Sequence, residues 1–168
     1  VLDRSTETFT VPEVNDTFFV NDSSTFGDAF VSSIGDNRNT GKIASAPKPY
    51  PNNVLRIYEL GANQTLSIDR GTYALLYPLV VGNAQGVGND EGFTMRGAPA
   101  GSTLLVHANS LTIAPVLELN DADLMTIQDL SLSGGSKGLW LRNSSVDLDL
   151  RRVRLNGNTQ EGLLIDAG

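Results

Sequence analysis

The chain has 168 residues, with 19 acidic against 12 basic side chains and a net charge of −7. That balance argues against nucleic acid as the main partner, because phosphate binding needs a basic face, and it suits an extracellular setting or cation binding. The absence of cysteine excludes disulfides and thiolate metal sites, no run of ~18 apolar residues marks a membrane span, and a composition 40% hydrophobic and 18% charged is that of one folded domain.

The chain opens on valine without a visible secretion signal, so the start reads as mature, processed or trimmed. Residues 1–17 are polar around a Thr8-Phe9-Thr10-Val11 alternation closed by Pro12, which reads either as an extra strand on a sheet edge or as a linker. Phe18 to Asp22 reads as a strand entering a turn, and Gly35 to Lys42 is a dense turn cluster. Ala46 to Pro51 holds three prolines and is expected to be neither helix nor central strand. Asn53 to Leu60 carries apolar residues at 54, 57, 58 and 60, with an Asn start and Gly61 as a stop, and predicts a two-turn amphipathic helix. Thr65 to Asp69 alternates as a strand before Gly71-Thr72-Tyr73. Further short strands follow around Leu75–Leu76 and Leu79–Val81, then at Phe93–Gly97, Ser102–Val106 and Leu111–Ile113, with a Gly/Asn/Asp loop from Gly82 to Gly92.

The stretch Leu117 to Ile165 repeats. Asp129-Leu130-Ser131-Leu132 matches Arg152-Val153-Arg154-Leu155, with Leu130 aligned on Val153. Gly138-Leu139-Trp140-Leu141 matches Gly162-Leu163-Leu164-Ile165, with Leu139 aligned on Leu163, and Leu117-Glu118-Leu119 stands one unit earlier. The offsets fall within the range of roughly 20–30 residues that marks units too small to bury their own apolar face, which stack on neighbours instead. Within each unit apolar and polar residues alternate, so the leucines share one side of a strand. No unit has room for a helix of ~10 residues. A leucine-rich repeat shares the period but requires Leu-x-x-Leu-x-Leu-x-x-Asn in every unit; Leu124 to Leu132 matches it in part and the next unit does not sustain it. The expected fold is therefore all-β, a parallel β-helix of roughly four to five rungs, each adding about 4.8 Å.

The run Phe19-Val20-Asn21, Gly35-Asp36, Asn39-Thr40-Gly41, Ala46-Pro47, a short helix, and Ile68 to Tyr73 resembles the opening of right-handed parallel β-helix proteins. That superfamily includes pectate-lyase-like polysaccharide lyases and epimerases and large bacterial surface and extracellular proteins. The resemblance implies a capping helix over the first rung, with 18–73 as cap and first strand and 74–168 as rungs. Such a cap has a physical task, since the end of a β-helix exposes apolar core and unpaired strand edges; Val54, Ile57 and Tyr58 are expected to cover it. The run Gly61 to Thr65 departs from the Gly-Asp-Thr usual in the family. The sequence stops just after a strand, so further rungs or a partner, such as a second copy, are expected at that end.

Asp121 and Asp123, and Asp147 and Asp149, are pairs of carboxylates two apart, which point to one side of a strand. Stacked outward pairs are candidates for holding Ca²⁺ through oxygen ligands; solvated outward positions of an acidic protein are the plainer explanation. Asp90-Glu91 and Asp36 to Asn39 are further oxygen-rich loops, the latter suited to side-chain-to-backbone turns. Arg142, Arg151, Arg152 and Arg154 with Lys137 form the one basic concentration. The resemblance makes Arg152 and Arg154 candidate catalytic residues, because family lyases set a base beside a Ca²⁺-bound uronate to remove the C5 proton. Salt bridges to Asp147 and Asp149 are the plainer role. His107 has no triad or metal-ligand spacing and is expected at a surface or corner. Trp140 alternates with Leu139 and Leu141, which places it outside, where with Arg142 it is a candidate to bind a glycan. Asn120, Asn143 and Asn156 recur near corners and suggest a hydrogen-bonded ladder.

These readings favour an extracellular or cell-surface β-helix module, structural or adhesive and self-assembling or part of a larger protein. The alternative is the N-terminal portion of a Ca²⁺-dependent lyase or epimerase acting on uronate glycans, and fold alone does not decide between them.

Overall fold

A computed structural model describes residues 16–82, 90–109 and 113–166. They form an all-β protein of three parallel sheets. Sheet A holds β1 (Thr17–Val20), β2 (Thr65–Ile68), β5 (Thr94–Gly97), β8 (Thr126–Gln128) and β11 (Asp149–Arg151), hydrogen-bonded in that order. Sheet B holds β3 (Gly71–Leu75), β6 (Thr103–His107), β9 (Leu130–Ser133) and β12 (Arg154–Leu155). Sheet C holds β4 (Leu79–Gly82), β7 (Leu117–Asn120), β10 (Lys137–Arg142) and β13 (Glu161–Ile165). From β2 onward the chain visits A, B and C in turn and completes four such circuits. The Thr8–Val11 segment lies outside the described residues, as do Leu111 and Thr112 and most of the 82–92 loop.

The strand registers make the repeat physical. Leu139 lies against Leu117 on one side and Leu163 on the other, and Leu155 against Leu132. Period-two alternation sends one residue of each pair inward. On sheet C the inward columns are Leu79, Leu117, Leu139, Leu163 and Val81, Leu119, Leu141, Ile165. On sheet A, Phe18, Leu66, Met95, Ile127 and Leu150 stack, and on sheet B, Tyr73, Leu105, Leu132 and Leu155. These columns meet in one core. Gly97 interrupts the column begun by Val20 and Ile68, and it must, because a Cβ there would sit 2.3 Å from the Asp129 carbonyl oxygen.

The expectation for the helix needs correction. The α-helix α1 runs Pro51–Leu55, not Asn53–Leu60. Pro51 occupies the first turn, where its missing N–H is no loss and its fixed φ suits the helix. Pro51, Val54 and Leu55 are buried, and Tyr58 stacks on Phe18 with ring centroids 4.8 Å apart. Ile57, expected to cover the core, is 57% exposed. His107 also differs from expectation. It ends β6 in register with Leu75, on the inward side of the alternation Thr103, Leu105, His107, and it is buried.

Long connections are tied to the sheets by polar side chains. Asp69, fully buried after β2, accepts the backbone N–H groups of Ala29, Phe30 and Val31 at 2.7–2.9 Å. Asn21 donates to the Ser24 and Ser33 carbonyls and to Asp28. The Thr103 hydroxyl lies within hydrogen-bonding distance of the Ile68 and Asp69 carbonyls, at 3.2 and 3.0 Å, and accepts the Ala98 N–H. Buried polar groups so satisfied fix a loop in one position.

Leu139→Ala removes a side chain with 0% exposure between two leucines of the same column. It should destabilise the protein by about 2–5 kcal/mol, measured as a lower urea midpoint at unchanged slope.

Candidate functional site

The outer face of sheet C brings Trp140 and Arg142 together. Both project outward from β10, and Trp140 is in register with Glu118 of β7 and Leu164 of β13. The Arg142 guanidinium lies 4.6 Å from the indole centroid and the Lys137 ammonium 5.3 Å. Arg142 also pairs with Glu118 at 3.3 Å. The ring is half-buried, and its N–H is enclosed without a hydrogen-bond partner among the described residues. Cations near the ring hold it electrostatically.

The two candidate arginines differ in role. Arg152 sits in the corner between β11 and β12 and grips Asp129, one circuit earlier, with Nε–Oδ1 at 2.6 Å and Nη2–Oδ2 at 2.7 Å. This fork geometry suits a carboxylate and holds the Asp129 carboxyl below its usual range. Asp129 and Arg152 are both left-handed, with φ of 58° and 53°, so the corner repeats along the stack. Arg154 faces out from β12 and packs against the Gly101 turn, where a Cβ would come within 2.5 Å of Nη1. Arg151 pairs with Asp149 on the same strand.

The acidic pairs are not stacked on one another. Asp149 lies in register with Thr126, and the Leu124 N–H bonds the Val146 carbonyl, which sets Asp147 beside Leu124 instead of an aspartate. Asp123 accepts the Val146 N–H at 2.9 Å, and Asp121 is an exposed corner residue with φ of 56°. Among the described residues no group of three or more His, Asp or Glu is arranged around a metal position. Asn143 donates to Asn120 at 2.6 Å, as a ladder requires, but Asn156 is not part of it. Asn158 makes the next inter-circuit clamp, from the Gly135 N–H to the Leu132 carbonyl.

A groove of about 990 Å³ runs between α1, the β3–β4 corner and the outer face of sheet C, with Tyr50, Tyr77, Arg56, Glu118, Asn120 and Asp90 on its walls. Asp90 is 4% exposed and accepts the Leu60 N–H at 2.6 Å. Burial pushes its carboxyl up to about 6, against the lowering effect of the Leu60 bond and with Glu59 adding to the rise. The polar loop around Asp90 gives no sign of this burial in the sequence. The Asp129–Arg152 contact, by contrast, follows the alignment of Asp129-Leu130 with Arg152-Val153, which sets the two side chains one circuit apart at the same corner.

Compared with family models, curated proteins and solved structures, the chain matches none. What the geometry defines is the class: an all-β protein of three parallel sheets, with polar clamps joining successive circuits at the corners.

Asp90 gives a pH dependence of definite sign. Its folded pKa is raised, so the stability due to its neutral form is complete below about 4 and is lost as pH rises through about 6. Asp90→Asn keeps an acceptor for Leu60. It should raise stability at pH 8 by on the order of 2–3 kcal/mol, with the advantage fading towards pH 4 in urea titrations.

Proposed function

We propose that this chain forms a right-handed parallel β-helix, closed at one end by residues 18–73, and that it serves as a structural, adhesive module of an extracellular or cell-surface protein. In this reading its other end is a docking edge for strands, from further rungs or from a second copy. One observation carries the reading. The inward columns that are fully buried at Leu79, Leu117 and Leu139 reach the surface at Leu163, 39% exposed, and the parallel column emerges at Ile165, 66% exposed. The edges of β11, β12 and β13 beside them have no neighbour among the described strands. Unpaired strands with apolar inward residues are templates for another strand.

The resemblance to β-helix surface proteins supports the location. So does the acidic composition. The alternative, a Ca²⁺-dependent uronate lyase or epimerase, relies on Arg152 and Arg154 with Asp147 and Asp149. Arg152 spends its fork on Asp129, and Asp149 is taken by Arg151, which favours the structural reading.

Sedimentation velocity over a concentration series tests the docking edge. Wild-type chain should associate, and Ile165→Lys should weaken association at least tenfold. A chain that stays monomeric at every concentration, or one indifferent to Ile165→Lys, would reject the edge. Release of unsaturated products from polygalacturonate with Ca²⁺, abolished by Arg152→Ala, would establish the lyase instead.

A further inference from the structure

Lys48 stands out electrostatically. The residue is 6% exposed, in a protein whose net charge is −7. Its backbone is locked, with its N–H on the Phe19 carbonyl and its own carbonyl taking the Asn21 N–H, both at 2.9 Å. Its stem runs over Gly41, where a Cβ would meet Cγ at 3.0 Å. Its ammonium donates to the Asn37 carbonyl at 2.8 Å. One neutral acceptor satisfies one of three protons. A buried cation ordinarily has a carboxylate beside it. Lys137, Arg142, Arg151 and Arg152 have such carboxylate partners, whereas Lys48 and Arg56 form no ion pair among the described residues.

Both of these cations border one concavity of about 300 Å³, walled by Asn37, Lys48, Asn53, Arg56 and Ile57. Arg56 is exposed at the end of α1. The Asn53 amide donates to the Asn37 side-chain oxygen, which leaves the Asn37 amide protons to other acceptors. The nearest acidic residue in sequence, Asp36, turns its carboxylate back to the Arg38 N–H at 2.8 Å. Among the described residues the wall thus combines two cations and two amides with no carboxylate.

We propose that this concavity is an oxyanion-binding site. Lys48 supplies a fixed point charge, Arg56 a two-pronged donor from the rim, and Asn37 an amide donor. The ligand is a small group with two or more charged oxygens: a free sulfate or phosphate, or the carboxylate of an acidic sugar. A group of that size fits the volume, and the fork of Arg56 matches its geometry. The protein's overall negative charge repels anions at a distance, so binding depends on these local donors and weakens with added salt.

Calorimetry and thermal unfolding of the full chain test this, with sodium sulfate, sodium phosphate and sodium galacturonate as probes. Sodium chloride at matched ionic strength and neutral galactose are the controls. The expected result is saturable binding with a matching rise in unfolding temperature. Arg56→Ala, at an exposed position that leaves the core intact, should weaken binding at least tenfold. Lys48→Met, which keeps the stem over Gly41, should abolish it; if that variant does not fold, Arg56→Glu replaces it and should also abolish binding. A response to sulfate and phosphate alone assigns the site to free anions. A response to galacturonate with galactose silent assigns it to a sugar carboxylate. Shifts equal to those in chloride, or unchanged in Arg56→Ala, overturn the proposal.

Discussion

The pairing of each strand with the strand one circuit away is the constraint on which everything else depends. Strands as short as these are not stable alone, and a parallel pair cannot be closed by a tight hairpin. The chain must therefore travel a full circuit before any strand finds its partner. Once it does, three ladders form together and the inward side chains fall into columns. Each leucine is then buried by its equivalents above and below as much as by the opposite sheets. The corners only have to return the chain to the same place, which leaves them open to variation.

That division explains what is legible in the sequence. From Leu117 onward the corners are nearly uniform, so Leu117, Leu139 and Leu163 recur at almost even intervals that are also the strand registers. Earlier circuits carry insertions, and the intervals from Leu79 to its partner Leu117 and from Thr72 to Leu104 are much wider. Periodicity is lost there, although the alternation within each strand survives. His107 defeats the sequence reading because isolation from catalytic partners is no sign of exposure; its parity with Thr103 and Leu105 is the better guide. Pro51 closes a proline-rich run that looks hostile to any helix, yet a first turn accepts it. The aspartate pairs look equivalent through their internal spacing, whereas register depends on what precedes them, and Asp149 falls beside Thr126.

Polar side chains act here mainly as links between circuits. Arg152 reaches Asp129, Asn143 reaches Asn120, Asn158 reaches Leu132 and Gly135, and Arg142 reaches Glu118. All span one circuit and tie together corners or outer faces that the core does not touch. The residues before β3 use the same device over longer stretches of chain, with Asp69 holding the loop at Ala29. Arg152 is thereby tied into the framework. Lys48 and Arg56 take no part in these links.

The ladder geometry has a mechanical consequence. Hydrogen bonds between successive circuits point along the stack, so tension applied between the first and last circuits loads them head on, one ladder set at a time. The chain then yields by peeling, not by a single concerted rupture. Each circuit of the regular region, such as that from Ser131 to its partner Arg154, releases roughly 75–80 Å of extended chain while shortening the stack by only about 4.8 Å. A body built this way surrenders length in small instalments under load. The remaining circuits keep their registers and offer the lost coil a template on which to re-form.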